Sequence, residues 1–197
     1  MKKIMMMLFM ATVALTASSQ NTMRENGTFT LQPKLGIGIG TLSGNYTTRP
    51  GVSDKVRVGL VAGVEGEYYA NEWLGIAAGL NYSQQGWKMK GNGVDETYKF
   101  DFLNIPLTAD FYVAKGLALK TGVQFGFLLS AKVEDADVKD SCKKFNFSIP
   151  VGISYEISDF VLDFRYNIGL KNMNKADDGN KLRSDLVQFT VGYKFGL

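Results

Sequence analysis

The side chains that could do chemistry in this chain are carboxylates, lysines, arginines and tyrosines, because the sequence has no histidine and only one cysteine, Cys142. The absence of histidine excludes Ser-His-Asp and Cys-His catalysis and histidine metal sites. One cysteine excludes an intramolecular disulfide and a cysteine-rich zinc cluster. The 22 basic and 19 acidic residues nearly balance, which gives no reason to expect nucleic acid as a partner.

Acidic residues offer the remaining candidate sites. Asp110 and Asp163 could form a catalytic carboxylate pair, but nothing in the sequence brings them together, and a salt-bridge role is favoured. Residues 134–140 hold four carboxylates and residues 177–180 resemble a fragment of a calcium loop, but neither segment has the full ligand spacing. The sequence therefore predicts no catalytic residue, no metal site and no cofactor.

The first nineteen residues have the three parts of a secretory signal. Two lysines precede an apolar run over residues 4–15, and the small residues Ala17 and Ser19 suit cleavage after residue 19. The run is too short for a spanning helix. We therefore expect a signal peptide over residues 1–19 and one mature domain over residues 20–197; the alternative is an apolar N-terminal helix that the mature protein keeps.

Beyond the signal, apolar and polar residues alternate with a period of two, which is typical of β-strands that have one apolar and one polar face. The last segment shows it most clearly, with one face made of Val187, Phe189, Val191, Tyr193, Phe195 and Leu197. The pattern predicts eight strands, over residues 28–41, 55–69, 73–86, 97–113, 117–130, 144–157, 160–171 and 184–197. Most are longer than the nine to eleven residues with which a tilted strand crosses a bilayer.

The fourth strand changes phase. Its apolar residues fall on even positions at Tyr98, Phe100 and Phe102, and on odd positions from Leu103 to Val113. A β-bulge near residues 102–104 would bring both halves onto one face.

The connections alternate between short and long. Three are tight turns, at residues 70–72, 114–116 and 158–159. Four are long, polar and charged, at residues 42–54, 87–96, 131–143 and 172–183. This rhythm predicts an all-β, antiparallel, up-and-down meander, and eight strands can close into a small barrel without an unpaired edge.

Alternation alone does not tell which face of the barrel points outward, but the polar face favours a lumen. Thirteen glycines lie on it, and glycine leaves room for long side chains inside a narrow barrel. The apolar face carries almost no charge between the strand ends, as contact with hydrocarbon requires. We therefore predict a paired charge network in the lumen, five residues of each sign, formed by Lys34, Arg57, Glu65, Glu67, Asp110, Lys120, Glu156, Asp163, Arg165 and Lys194.

Aromatic residues gather toward the two ends of the strands, as in the aromatic girdles of membrane barrels. The girdle predicted at the short-turn end includes Tyr68, Trp73, Phe111, Tyr155 and Phe160. The girdle predicted at the long-loop end includes Tyr82, Trp87 and Phe145. The alternative is that aromatic residues simply favour strands.

The C-terminal segment resembles the β-signal of bacterial outer-membrane proteins, which the barrel-assembly machinery recognises. The matching residues are Thr190, Gly192, Phe195 and Leu197, although many such signals end in phenylalanine. In addition, Phe102-Leu103-Asn104-Ile105-Pro106-Leu107 resembles a stretch in the PorT-like family of small Bacteroidetes outer-membrane barrels. The chain thus resembles PorT-like or OmpX-like eight-stranded barrels, which implies the outer membrane of a Gram-negative bacterium and, as partners, its lipid and the assembly machinery.

The resemblance also bears on activity. Enzymatic outer-membrane barrels use a histidine, as the resemblance implies, and this chain has none. We therefore expect a non-enzymatic barrel with a lumen plugged by side chains, acting through its long loops or within an envelope assembly. The alternatives are an accessory component of a protein-export system, a small pore, and a soluble periplasmic, lipocalin-like ligand-binding barrel.

Overall fold

The computed structural model describes most of the predicted mature domain, namely residues 26–43, 53–91, 93–134, 136–171 and 183–197. The predicted signal peptide lies outside these residues. So do most of the predicted loops at residues 42–54 and 172–183.

Eight long strands and two short ones make up the described part of the chain. The long strands are β1 (Phe29–Ser43), β2 (Ser53–Asn71), β3 (Leu74–Gly91), β4 (Val94–Ala114), β5 (Leu117–Val133), β7 (Phe145–Ile157), β8 (Phe160–Gly169) and β9 (Arg183–Tyr193). The short elements are β6 (Ala136–Asp137), a 3-10 turn at Lys139–Ser141 and β10 (Phe195–Gly196). No helix in the described ranges is long and apolar enough to cross a membrane.

The long strands form a closed antiparallel ring. Each pairs with the next along the chain, with β6 set aside, and β1 pairs with β9 to complete the circle. Leu35, for example, lies opposite Ala62 of β2 on one side and Val191 of β9 on the other. The predicted eight-stranded up-and-down barrel is confirmed.

The three predicted tight turns are confirmed as well. They join β2 to β3, β4 to β5, and β7 to β8, with two residues between the strands in each case. Gly116 has φ 82°, a left-handed conformation that glycine adopts without steric cost, and Ser158 adopts φ 56° in the corresponding turn.

The predicted long loop at residues 87–96 was wrong. β3 runs on to Gly91 and β4 begins at Val94, so that most of this segment is a hairpin in which Lys88 lies opposite Thr97. Frequent charges are typical of a loop, but in this segment the alternation of inward and outward side chains continues through the charged residues. The predicted loop at residues 131–143 also contains the end of β5, β6 and the 3-10 turn.

The predicted bulge in β4 was also wrong. Even-numbered residues of β4 point inward along its length, so Phe100 and Phe102 are buried in the lumen and not turned to the outer face. β4 pairs with β3 without a shift there, and the irregularity lies in β5, where Leu129 is the extra residue between Leu128 and Ser130. The apolar residues of β4 therefore face inward near its long-loop end, where the lumen is apolar, and outward from Leu103 on, where the strand meets lipid.

The two prolines of the central strands face the lumen at breaks in the ladder. Pro106 lies where the pairing of β4 with β3 is interrupted, while its pairing with Gln124 of β5 remains. Pro150 lies where the pairing of β7 with β5 is interrupted, while its pairing with Asn167 of β8 remains. Each proline thus removes a donor from only one of its two ladders, as a residue without an N–H must.

The two faces of the sheet have opposite chemistry to those of a soluble barrel. The outward face is lined by exposed large apolar side chains on every long strand, such as Leu35, Ile76 and Phe164. The inward face buries charged and amide side chains, among them Arg165 and Asp110. This arrangement suits lipid outside and a polar interior, and it excludes a soluble lipocalin-like barrel.

Candidate functional site

The middle of the lumen holds a cluster of six charged side chains that we call the central ion cluster. Its members come from β1, β2, β4, β5 and β8, and they are Lys34, Glu65, Asp110, Lys120, Asp163 and Arg165. Three are positive and three negative, so the cluster is neutral. All six are at most 5% exposed.

Glu65 is the centre of this cluster. Its carboxylate accepts hydrogen bonds from Lys34 Nζ at 2.6 Å and from Lys120 Nζ at 2.9 Å, and it lies 3.3 Å from Arg165 Nη2. Lys120 also contacts Asp110, at 2.9 Å, and Arg165 donates to Asp163 at 2.8 Å. Because β2, β5 and β8 are not neighbours in the ring, these contacts tie separate walls of the barrel together.

A second group, which we call the lysine–tyrosine cluster, fills the lumen at the short-turn end. Lys194 Nζ lies 2.8 Å from Glu67 and 2.5 Å from Glu156, and it donates to the hydroxyl of Tyr69 at 2.9 Å. The Tyr112 hydroxyl donates to Glu67 at 2.7 Å and lies 3.0 Å from Glu156. The ammonium of Lys194 and the hydroxyl of Tyr112 thus hold two carboxylates, while the Tyr69 hydroxyl contacts this ammonium and the Tyr112 hydroxyl. The cluster carries a net charge of −1 (one lysine, two glutamates).

The lumen at the long-loop end contains a cluster of apolar side chains, which we call the aromatic cap. The Trp87 ring stacks on those of Tyr98 and Phe100, with centroids 4.9 Å and 5.1 Å apart. Phe102, Leu128 and Ala131 complete the buried core. Met89, together with Val138 and Cys142 from the segment around the 3-10 turn, packs against it, so that this segment covers the mouth of the barrel.

Strand β4 passes through all of these layers in turn. Its inward residues run from Tyr112 in the lysine–tyrosine cluster to Asp110 in the central ion cluster, Asn104 in a layer of amides and hydroxyls, and Phe102 and Phe100 in the cap. In the amide layer, Asn104 Nδ2 donates to a serine hydroxyl of β3 at 2.8 Å. Inward-facing side chains are therefore buried at each of these levels.

Sequence comparison identifies the family to which this architecture belongs. Residues 18–175 match the family described as outer membrane protein beta-barrel domain. The chain belongs to this family. A comparison with curated proteins gave no match.

Solved structures show the same fold. The attachment invasion locus protein Ail of Yersinia pestis is similar over 86% of this chain and 99% of its own, with 13% sequence identity and a TM-score of 0.51. Neisserial surface protein A, NspA, is similar over 85% of this chain and 97% of its own, with 16% identity and a TM-score of 0.55. The protein is thus a β-barrel of the Gram-negative outer membrane.

In this outer-membrane barrel, nine of the ten residues predicted to form a lumenal charge network lie in the two clusters. The remaining one, Arg57, is apart from them and donates to the backbone carbonyl of Gln85 at 2.6 Å. Arg57 lies eight residues before Glu65 on β2, which is about 26 Å along the strand, and this distance separates it from the other charges. Asp110 and Asp163 both contact Lys120, as salt-bridge partners.

The placement of Trp87 in the outer girdle was wrong. Trp87 is 3% exposed and lies in the lumen, because odd-numbered residues of β3 point inward. The other seven predicted girdle residues lie on the outer surface; at the short-turn end, Trp73 stacks on Phe111 with centroids 6.3 Å apart. At the long-loop end, Phe145 contacts Phe125 and Phe127.

Sequence reasoning missed the two tyrosines of the lysine–tyrosine cluster. Tyr69 follows Glu65 and Glu67 on the polar face of β2, and Tyr112 follows Asp110 on that of β4. The signal for both is their position in the alternation, because each continues the polar face of its strand.

The residues predicted as a β-signal close the barrel. Thr190 is buried in the lumen, and Phe195 of β10 lies opposite Leu31 of β1. The backbone N–H of Leu197 donates to the carbonyl of Phe29 at 2.9 Å. A Cβ on Gly192 would lie 2.4 Å from the side chain of Gln32, so glycine leaves the space that this glutamine fills.

Proposed function

We propose that this outer-membrane barrel is a sealed, non-enzymatic protein whose work is done at its outer end. The observation that carries the proposal is the filled lumen, in which one strand, β4, contributes to every layer from Tyr112 to Phe100. A filled lumen gives a solute no path through the barrel, and eight strands leave an interior just wide enough for side chains.

The geometry of β3 and β4 supports a role at the outer end. β4 has 21 residues, roughly ten more than a strand needs to cross the bilayer. At about 3.3 Å per residue, the excess extends about 30 Å along the strand. Since the short turns of such barrels face the periplasm and the longer loops face outward, the extended hairpin of β3 and β4 stands outside the cell.

Conductance in a planar bilayer tests the sealed lumen. The wild-type barrel is expected to show no channel events. A fourfold alanine variant is expected to conduct, because it shortens side chains at two levels of the lumen. The substitutions are Glu65→Ala and Arg165→Ala in the central ion cluster and Phe100→Ala and Phe102→Ala in the cap. Steady single-channel currents from the wild-type barrel would contradict the proposal, provided that heat-modifiable gel mobility shows it to be folded.

A second candidate is an accessory role in protein export. It is supported by the resemblance of residues 102–107 to the PorT-like family, and the filled lumen is compatible with it because an accessory component need not conduct. Deleting the gene separates the two roles. Loss of secreted cargo favours the export role, whereas intact secretion with altered binding at the cell surface favours the role of the outer hairpin.

Partners in biogenesis belong to the same proposal. We propose that the barrel-assembly machinery recognises the C-terminal strand through Thr190, Gly192, Phe195 and Leu197, and that the folded protein then meets lipid and, in the envelope, further proteins. Removing the last two residues is expected to slow insertion by the reconstituted machinery. Unchanged insertion of that truncated chain would count against the β-signal.

A further inference from the structure

The outer wall of the extended strands carries two pairs of lysines that face each other across neighbouring strands. Lys55 of β2 lies opposite Lys88 of β3, and Lys99 of β4 lies opposite Lys132 of β5. Lys88, Lys99 and Lys132 point away from the lumen, because their neighbours Trp87, Phe100 and Ala131 are buried in it. Lys55 is exposed and joins them through its pairing with Lys88. We call these four residues the lysine patch.

Such pairs are unfavourable in an isolated sheet. Like charges directly opposite each other on one face of an antiparallel pair destabilise it. In the ranges that the structure describes, no carboxylate lies within ion-pair distance of these four amino groups; the exposed ion pairs found there are Lys90–Asp95 and Lys144–Asp140. Asp101 shares the outer face of β4 with Lys99, and Asp137 of β6 lies opposite Lys132 on its other side, which leaves four positive charges against two negative, a net +2.

Two members of the lysine patch, Lys99 and Lys132, lie at the border of the lipid-facing surface. On β4, only Asp101 separates Lys99 from Leu103, the first apolar residue of the outer face. On β5, Lys132 is three residues from the exposed Leu129. Four residues of strand span about 13 Å. A lysine stem can lie along apolar surface while its ammonium group stays in the polar layer, so these amino groups reach the headgroups of the outer leaflet.

We propose that the lysine patch binds phosphate groups of anionic lipids in the outer leaflet. The anion would lie between the paired ammonium groups and offset the repulsion within each pair. Ammonium groups bind phosphate as point charges, and basic residues near a membrane surface are attracted to its anionic lipids. The patch continues the lipid-facing surface directly, which favours a lipid phosphate over a soluble polyanion as the occupant.

Native mass spectrometry of the intact mature barrel, released from mixed micelles, tests the proposal. The probes are phosphatidylglycerol and phosphatidylcholine with identical acyl chains. The wild-type barrel is expected to retain phosphatidylglycerol in preference. The variant Lys88→Gln/Lys99→Gln removes one lysine from each pair and is expected to reduce this preference roughly tenfold. The variant Lys88→Arg/Lys99→Arg keeps the charges and is expected to keep the preference.

The matched control is Lys115→Gln/Lys144→Gln, which removes the same charge from a short turn and from a site outside the patch. It is expected to bind as the wild type does. An equal loss of preference in this control, or no preference in the wild type, would overturn the proposal. So would tighter binding of dextran sulfate than of phosphatidylglycerol by the same micelles, because the occupant would then be a soluble polyanion.

A second readout separates lipid binding from a structural role of the lysines. In vesicles of phosphatidylcholine alone, Lys88→Gln/Lys99→Gln is expected to unfold at the same or a higher urea concentration than the wild type, since a repulsion has been removed. Adding phosphatidylglycerol is expected to stabilise the wild type more than this variant, because a ligand that binds the folded state stabilises it. A variant that is less stable in phosphatidylcholine, with an unchanged response to phosphatidylglycerol, would show that the lysines are structural.

Discussion

Glu65 and Arg165 meet in the middle of the barrel, 3.3 Å apart, although they are separated by 100 positions in the sequence and lie on strands that are not neighbours. Arg165 is fully buried and Glu65 is 3% exposed. A buried charge without its partner is strongly unfavourable, so each of these residues depends on the other. Backbone hydrogen bonds join neighbouring strands of the barrel wall. Ion pairs such as this one join strands that face each other across the lumen.

The first prediction concerns the centre of that cluster. Glu65→Gln keeps the shape of the side chain but leaves Lys34, Lys120 and Arg165 facing only two carboxylates. Breaking a buried ion pair from one side costs about 3–5 kcal/mol, and we expect a loss of that size in the free energy of unfolding, measured by urea titration in lipid vesicles. Glu72→Gln, in an exposed turn, is the control and is expected to leave it unchanged. Equal stability of the two variants would mean that the central ion cluster does not support the fold.

The second prediction tests which face meets lipid. Val191 is 42% exposed on the outer surface, whereas its neighbour Thr190 is fully buried in the lumen. Val191→Arg places a charge in hydrocarbon and is expected to cost about 2–4 kcal/mol in vesicles. Thr190→Arg is expected to act by crowding, so its effect would be the same in detergent micelles and in vesicles. Normal folding of Val191→Arg in vesicles would reverse the assignment of the two faces.

The third prediction uses the two tryptophans. Trp73 is 55% exposed on the outer surface near the short turns, and Trp87 is buried in the aromatic cap. In Trp87→Phe, where only Trp73 remains, phosphatidylcholine brominated near its headgroup is expected to quench the fluorescence strongly. In Trp73→Phe, the remaining Trp87 is expected to emit at shorter wavelength and to resist both this lipid and acrylamide. Strong quenching of Trp87 fluorescence by the brominated lipid would show that Trp87 faces the lipid, as a girdle residue does.

The same two residues show how far the sequence predicts this fold. A period of two fixes the strands, and in a chain with alternating short and long connections it fixes the barrel. The period also tells which residues share a face, so nine of the ten predicted lumenal charges fall into the two lumenal clusters. The period does not tell whether the lumen is polar or apolar at a given level of the barrel. For this reason Trp87, Phe100 and Phe102 were predicted to face lipid.

The pairing of charges could not be predicted either. That Glu65 meets Arg165 and not Lys194 depends on how far the strands are staggered around the ring, and on which side chains reach across it. These are properties of the closed barrel and not of any one segment. Charge alternation in a single strand indicates a polar face, whereas the partners of each charge come from strands far away in the sequence.

The last prediction concerns a glycine whose missing side chain the closed barrel requires. A Cβ on Gly36 of β1 would lie 2.0 Å from the carbonyl oxygen of Phe189 and 2.6 Å from the Cα of Thr190, both backbone atoms of β9 that hold the seam of the ring. A Cβ on Gly66 of β2 would meet the ring of Phe29, at 2.7 Å, and that ring is exposed and free to move aside. Gly36→Ala is therefore expected to lower the free energy of unfolding by about 1–3 kcal/mol, and Gly66→Ala to change it by less than about 1 kcal/mol. Urea titration in vesicles and the temperature at which gel mobility changes measure the two variants side by side, and a Gly36→Ala barrel as stable as Gly66→Ala would show that β1 and β9 approach each other less closely than the structure describes.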